Sequence, residues 1–396
     1  MTEATQPWMA RGTKLPLAVL AAALFALLAF APIASATPDP VGSGSATITL
    51  NKGFTKYLKT FGIKTTKIAP AKLKGQKLTL TGTGGEVDPT TGLGTVTLGG
   101  GLKFKAGKKS ATVKALVLDT TTASLTGKVS GKKVKLASVK GYAYARAGFG
   151  VSMTVKKLKL TSKAAKQLNK KLGFAKGKPK PFLANKLLGS AAAEEQPSTV
   201  AVLPTGNVLF NADAGTLGKL AKVDVKVKTI DPTQVKGLTN FEFPITGGTI
   251  SPLGTGGVVQ SGGGLELEQK LFTGQPGKEF LETKITLSGF YVDLAAKTIT
   301  VEVSAVSNAS DELNLGNLGR SSIADLTIPG VTADSVNRTV TVQNATCALQ
   351  PISAKVLNAF VEVYEGYEKV GGPPKSPEKI NSGDPLGSFS MTVQTQ

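Results

Sequence analysis

One stretch of this chain occurs twice, and the duplication limits what the chain can fold into. Gly84 to Phe104 reads GGEVDPTTGLGTVTLGGGLKF, and Gly247 to Leu267 reads GGTISPLGTGGVVQSGGGLEL. Gly84 and Gly247, Pro89 and Pro252, and Gly101 and Gly264 keep one constant separation without a gap. Self-similarity at so long a period means duplicated domains, not a short-repeat solenoid. Earlier landmarks recur one residue closer together: Gly53 with Gly215, Leu58 with Leu220, Ile68 with Ile230, and Pro70 with Pro232. Later, LTSKAAKQLN from Leu160 is echoed by LQPISAKVLN from Leu349, and Leu188-Gly189-Ser190 by Leu386-Gly387-Ser388. The separation is wider at these late pairs, so the second copy carries extra residues in between. Phe272 to Lys278 and Asn308 to Arg320 are loop-like in composition and are the candidates.

The first copy starts with Ala46 to Leu50, which reads as an edge strand, and a short helix follows in each copy. Asn51 is its expected cap, Phe54, Tyr57, Leu58 and Phe61 stand at i, i+3, i+4 and i+7, and Gly62 ends it. From Lys77 the apolar period becomes two. Leu78 and Leu80, Val96 and Leu98, and Leu102 and Phe104 alternate with Lys or Thr. Ala106-Gly107-Lys108-Lys109 is a hairpin connection, and Thr112–Leu118, Ser124–Val129 and Val134–Val139 are further strands. Gly141 to Leu160 holds one or two more. A late helix follows, capped by Thr161 or Ser162, with Ala164, Ala165, Leu168 and Leu172 on its face and Gly173 as its stop. Pro351 suits the first turn of its counterpart. Short strands punctuated by glycine predict a β-sandwich or a barrel. The expected fold is mainly β: two tandem antiparallel β-sandwich-like modules, each with a short early helix and a short late helix. They occupy 45–190, which is basic, and 205–396, which is acidic and carries the insertion. Pro38 to Gly44 reads as a lead-in linker and 191–204 as the linker between modules.

Residues 1–36 are not read as fold. Arg11 and Lys14 precede the apolar run Leu15 to Ala31, and Ala34-Ser35-Ala36 supplies a small-x-small site. This is the pattern of a secretory signal peptide cleaved after Ala36. The rival is an uncleaved anchor, because the run reaches about the length of the shortest spanning helix. Either way the modules are expected outside the cytoplasmic membrane, secreted or at the cell surface.

The 396 residues include no histidine and one cysteine, Cys347. A Ser-His-Asp or Cys-His triad is therefore impossible, as is any histidine-ligated metal or haem site. A lone cysteine makes no intramolecular disulfide, and it reads as a small buried apolar residue. No enzyme is expected. The charge is lopsided: Thr37 to Ser190 holds 30 Lys plus Arg against 4 Asp plus Glu, and Ala191 to Gln396 holds 15 against 21. A basic first half can steer an anionic partner, or it can be a lysine-rich solvated surface. Few aromatics interleave with the lysines, so nucleic acid is not expected. The carboxylates of the second copy show no EF-hand spacing, and no metal site is expected.

The glycine triplet has no G-x-x-x-x-G-K-[ST] pattern and no strand-to-helix context, so it is not a phosphate loop. Glycine between strands marks a bulge, a tight bend or a close backbone approach, and what approaches can be protein or ligand. Tyr57 has two readings: a core aromatic beside Phe54 and Phe61, or a phenolate ligand to ferric iron. The second copy has Lys219 in its place.

These features together resemble the Htaa domain of bacterial secreted and surface proteins that bind haem. The residues that carry the likeness are GFTKYLKTFG, GTVTLGGGLKF, the strand ending VLD at Asp119, and LTSKAAKQLN. In the second copy they are FPITGGTISPLGTGG, QSGGGLEL, ITLSGFYVDLAAKTITVEV and ISAKVLNAF. The resemblance implies a β-sandwich-like module, a haem ligand, and an axial tyrosine on the early segment, which here is Tyr57. It implies an apolar wall from Phe54 and Phe61, with Lys108 or Lys109 near the propionates. Binding members also place a histidine by that hairpin, where this chain has Gly107, Lys108 and Lys109. The expectation is an exported, non-enzymatic binding protein with haem at the first module. The alternative is a structural or adhesive envelope protein whose basic module holds an anionic wall polymer or membrane surface.

Overall fold

The computed structural model describes residues 37–174, 179–309, 314–367 and 377–396. The leader read at 1–36 lies outside the described residues. The first module runs β1 (Asp39–Leu50), α1 (Lys52–Thr60), β2 (Ile63–Ile68), β3 (Lys72–Lys74), β4 (Lys77–Val87), β5 (Gly94–Ala106), β6 (Lys109–Asp119), β7 (Ser124–Val129), β8 (Lys132–Ala147), β9 (Gly150–Leu160), α2 (Ser162–Leu172) and β10 (Leu187–Pro197). The second begins with β11 (Val200–Ala201), β12 (Asn207–Ala212), α3 (Ala214–Lys222), β13 (Val225–Ile230), β14 (Gln234–Val235), β15 (Asn240–Ile250) and β16 (Gly257–Ser261). It continues with β17 (Gly264–Gln275), β18 (Lys278–Asp293), β19 (Thr298–Ser307), β20 (Gly316–Thr327), β21 (Val331–Asp334), β22 (Thr339–Leu349), α4 (Pro351–Glu365) and β23 (Pro385–Gln394).

Both modules are antiparallel throughout, and both sheets close. In the first, β5-β6-β7-β8-β9-β10-β1-β4 returns to β5 through the β4–β5 pairing. In the second, β15-β12-β23-β22-β20-β19-β18-β16 returns to β15. The sandwich-like module expected from the strand pattern is thus a closed barrel, which leaves no open edge in the ring. Alternation does the sorting: Leu78 and Leu80 of β4 are buried while Lys77 and Thr81 are exposed. The same parity builds the second interior from Phe241, Phe243 and Ile245.

The helices start where the sequence places them. Asn51 Oδ1 accepts from Phe54 N at 3.0 Å, and Asp213 Oδ1 accepts from Thr216 N at 2.7 Å. Thr161 caps α2 and Gly173, at φ 80°, closes it. Pro351 lies in the first turn of α4.

Both stretches read as linkers hold strand, and so does part of each loop-like candidate, since β17 runs to Gln275 and β20 starts at Gly316. Pro38 to Gly44 was expected as a linker from its Pro, Gly and Ser content, yet β1 starts at Asp39 and pairs with β4 and β10 on its two sides. Its glycines are there for space: a Cβ on Gly44 would lie 2.0 Å from Glu195 Oε2. Likewise β10 continues through Ala191–Pro197, residues that lack apolar alternation and read as the start of a linker. The extra residues of the second copy lengthen its hairpin. β17 and β18 pair at Gln269↔Thr283, then run on to Gln275↔Lys278, whereas Ala106↔Lys109 ends the first module's hairpin.

The repeated glycine stretch is architectural in both modules. Gly100 and Gly263 have φ of 91° and 82°, and a Cβ on either would collide with Ala71 or Thr233. The adjacent Gly101 and Gly264 lie against the carbonyls of Val113 and Leu287 on the neighbouring strand. The register slips at Leu98/Gly101 in the first module, and the strand breaks into β16 and β17 in the second. These are the bulge and close approach that glycine permits. The neighbouring Pro70 and Pro232 both follow cis peptide bonds.

Candidate functional site

The early helix, the β5–β6 hairpin and the segment after α2 converge at one end of the first barrel. Tyr57 is half-buried on α1. Its hydroxyl donates to Lys180 O at a long 3.3 Å, and its ring meets Phe61 edge-on with centroids 5.1 Å apart. Phe61 in turn meets Phe174, just past α2, at 5.8 Å. Lys186 Nζ stands 5.5 Å from the Tyr57 centroid. Beside this aromatic row is an open cleft of about 450 Å³, lined by Lys109, Lys166, Asn169, Lys170, Gly173, Phe174 and Lys180.

The five residues singled out from the sequence do not all meet there. Tyr57 and Phe61 share the aromatic row, and Lys109 lines the cleft, its stem against Gly173. Lys108 is exposed at the tip of the hairpin. Phe54, expected as an apolar wall beside Tyr57, instead turns into the barrel, where it is 2 % exposed. There it packs edge-on against Phe182, which also meets Phe104. On an amphipathic helix the centre of the apolar stripe goes to the core and its edge to the rim; Phe54 and Leu58 are the centre, Tyr57 and Phe61 the edge.

Sequence reading missed Phe174, Lys180 and Lys186, which come from a segment without periodic pattern. The signal was Asn169 in the repeated Ala-Lys-x-Leu-Asn. Its side chain donates to Phe182 O at 2.8 Å and accepts from Phe182 N at 3.2 Å, tying that segment to α2. Asn358 does the same for Ile380, at 2.7 and 2.9 Å.

The second module answers Tyr57 with Lys219. Its ammonium lies 2.9 Å from Asp384 and 3.1 Å from Glu378. The Asp384 hydrogen bond and then the Glu378 one raise the Lys219 pKa. Asp384 is held below its ordinary value, first by the Asn381 amide and then by Lys219. The contrast is general: among the described residues every ion pair lies in the second module. Also among them, no three His, Cys, Asp or Glu side chains group to hold a metal ion, and no helix is long and apolar enough to cross a membrane. Cys347 is buried on β22, where burial pushes its thiol up to about 12, so it is not a ready nucleophile.

No family model and no curated protein matches the chain. Among solved structures it is similar to the C-terminal domain of HtaA from Corynebacterium glutamicum, at 13% identity and a TM-score of 0.33, over 40% of this chain and 98% of that one. It is also similar to the N-terminal domain of HtaA from the same organism, at 14% identity and a TM-score of 0.30, over 49% of this chain and 99% of that one.

Proposed function

We propose that the chain is an exported, non-enzymatic binding protein whose first module takes haem at Tyr57. The observation that carries this reading is the row Tyr57–Phe61–Phe174 beside a lysine-lined cleft. The residues suit the group that the Htaa resemblance implies. A phenolic oxygen held only by one long bond to a carbonyl is free to turn outward as a ligand. Phe61 and Phe174 offer ring edges to a flat apolar face, and Lys109, Lys166, Lys170 and Lys180 offer cations to carboxylates. With no histidine in the chain, no imidazole supports the phenolate, and Lys186 Nζ stands over the ring instead. Bound there, haem would supply a ferric centre for transport or storage rather than a reaction. Titration of haemin into the purified chain and its Tyr57→Phe variant tests this. A tyrosinate-type Soret shift is expected in the first and not the second. An equal shift in the variant removes Tyr57, and no shift in either removes haem.

A second reading is favoured by the lysines of the first module, none of which pairs with a carboxylate among the described residues: a hold on an anionic wall polymer or membrane surface. Exposed charges are screened over about 8 Å at physiological salt. Binding of a polyanionic wall polymer should therefore fall steeply as salt rises, and retention at high salt would sink the idea.

A further inference from the structure

The outer walls of the two barrels arrange their charges in opposite ways. In the second module Lys226, Glu268 and Lys284 face one another in register across β13, β17 and β18, and Lys270 faces Glu282. Each basic side chain has an acidic neighbour on the next strand. In the first module Lys64 of β2 faces Lys105 of β5, at the positions of Lys226 and Glu268. Lys114, Lys128 and Lys133 stand in line across β6, β7 and β8. These first-module lysines are all exposed.

Like charges directly opposite one another destabilise a sheet. Solubility does not require that arrangement, because the same lysines spread apart would serve it equally. The second module shows that the scaffold accepts a glutamate where Lys105 stands. No acid on these strands relieves the rows. Asp119 is the only acidic residue from Gly94 to Leu160, and its carboxylate accepts from the Thr122 amide at the β6–β7 turn. Lys128 and Lys133 flank the β7–β8 turn at the other end.

Neighbouring strands are about 4.8 Å apart, less than the screening length of about 8 Å at physiological salt, so the fields within a row add. A partner that meets a whole row must carry several negative charges in a line. The rows also cross the strands of a closed barrel, over a curved wall. A flexible chain can follow that wall, and a flat bilayer cannot. Among the described residues of the first module the exposed large apolar side chains are Leu93, Tyr144 and Leu183. None stands in a row, so nothing there would enter acyl chains. The rows hold lysine and no arginine, so they offer point charges rather than the planar fork that matches a carboxylate.

We propose that the lysine rows of the first barrel are the docking face of a linear phosphate-bearing polymer, laid across the strands. This rests on the second reading above and deepens it: it chooses polymer over membrane, and it uses side chains that the haem reading does not.

Calorimetric titration of the full chain with long-chain inorganic polyphosphate, repeated as salt rises, tests the proposal. Orthophosphate at equal phosphorus should bind at least about a hundredfold more weakly, because it meets one lysine at a time. Lys105→Glu/Lys128→Glu breaks both rows. It should bind polyphosphate at least about tenfold more weakly, with a shallower slope of log affinity against log salt. Without polymer it should melt above the parent, since Lys64 then faces an acid as Lys226 does, and that melting also shows that it folds. Lys297→Glu/Lys355→Glu makes the same change of net charge at exposed positions of the second module and should bind as the parent does. No binding of polyphosphate at low salt would overturn the proposal. Equal binding by the row variant, or an equal loss in the second-module variant, would overturn the rows and leave the second reading standing. Tighter binding of polyglutamate or of phosphatidylglycerol vesicles would overturn the choice of partner.

Discussion

The two barrels share one skeleton and disagree about what fills and covers it. Both keep a capped early helix, a cis-proline beside a glycine triplet, and an asparagine clamp after the late helix. Those residues meet demands of the backbone, which hold whatever surrounds them. The interior is freer. At two equivalent interior positions the first barrel has Phe54 and Phe104 where the second has Thr216 and Leu267, and each encloses a void, of about 70 and about 100 Å³. The surface is freest of all: among the described residues the ion pairs lie on the second module and the lysines of the first have none. What diverges on a constant scaffold is the rim, where Tyr57 faces Lys219, and the filling of the interior. Phe54→Ala is the sharpest test of the interior. It should cost about 3–5 kcal/mol of the first module's stability, whereas Thr216→Ala in the second should cost about 1 kcal/mol. Denaturation of both variants that gave equal losses would break the comparison.

At the opposite end of the barrels the roles reverse, and the second module is the apolar one. Glu195 on β10 points into the first barrel, in the space left by Gly44 and Gly82. It is 2% exposed and neither oxygen has a hydrogen-bond partner. Burial pushes its pKa up to about 7. The equivalent positions of the second module hold Val393 and Ile245, both buried. Asp39 lies by the same small cavity, and burial raises it to about 7 as well. A raised carboxyl pKa means that the folded chain binds more protons than the unfolded one between the two values. Stability should thus fall from about pH 4.5 to about pH 7 and level off above. The loss at Glu195 is on the order of 3 kcal/mol. Glu195→Gln should recover most of it at pH 8 and nothing at pH 4. A flat profile of stability against pH in the parent chain would place a partner at that carboxylate.

Next in size is the asparagine clamp. Asn169→Ala leaves the Phe182 amide and carbonyl without their partner in a buried place, and should cost about 2 kcal/mol. Asn358→Ala should cost less, because its site is half-buried and water can substitute. Loosening the segment also releases Lys180 at the cleft, so Asn169→Ala should weaken whatever anion binds there. Equal stability of the two variants would deny the clamp its buried character.

How far the sequence reaches follows from the kind of constraint involved. Helix caps, strand parity, the 107–108 hairpin tip and the glycine bulge are local, and each was legible from a few neighbouring residues. The ends of β1 and β10 were not, because Asp39–Gly44 and Ala191–Pro197 are strand only by virtue of partners far along the chain. The candidate site was legible by half. Tyr57 and Lys109 lie on elements with pattern, whereas Phe174 and Lys180 are placed by one side chain, Asn169, whose role cannot be seen until its acceptor is. Phe54 shows the remaining limit: helical spacing gives the apolar face but not which of its members turns inward. The void in the second barrel needed both copies side by side, since no single Thr or Leu announces the absence of a phenylalanine.

The smallest effects should fall at the position where the modules first parted. Tyr57→Phe removes one long, exposed hydrogen bond and keeps the ring contacts with Phe61 and Lys186. Its stability should stay within about 0.5 kcal/mol of the parent. Lys219→Met in the second module removes both carboxylate contacts and leaves Asp384 and Glu378 side by side. It should lower that module's melting temperature, by less in high salt than in low, because the contacts are screened at the surface. The sign with pH also follows. Asp384 is held below its ordinary value, so its contribution is present above the usual carboxylate range and is lost as pH falls through its lowered folded value. The melting difference between Lys219→Met and the parent should therefore vanish in acid. If instead Tyr57→Phe proved the more damaging change, the tyrosine would be a structural strut of the first barrel rather than a group kept free at its rim.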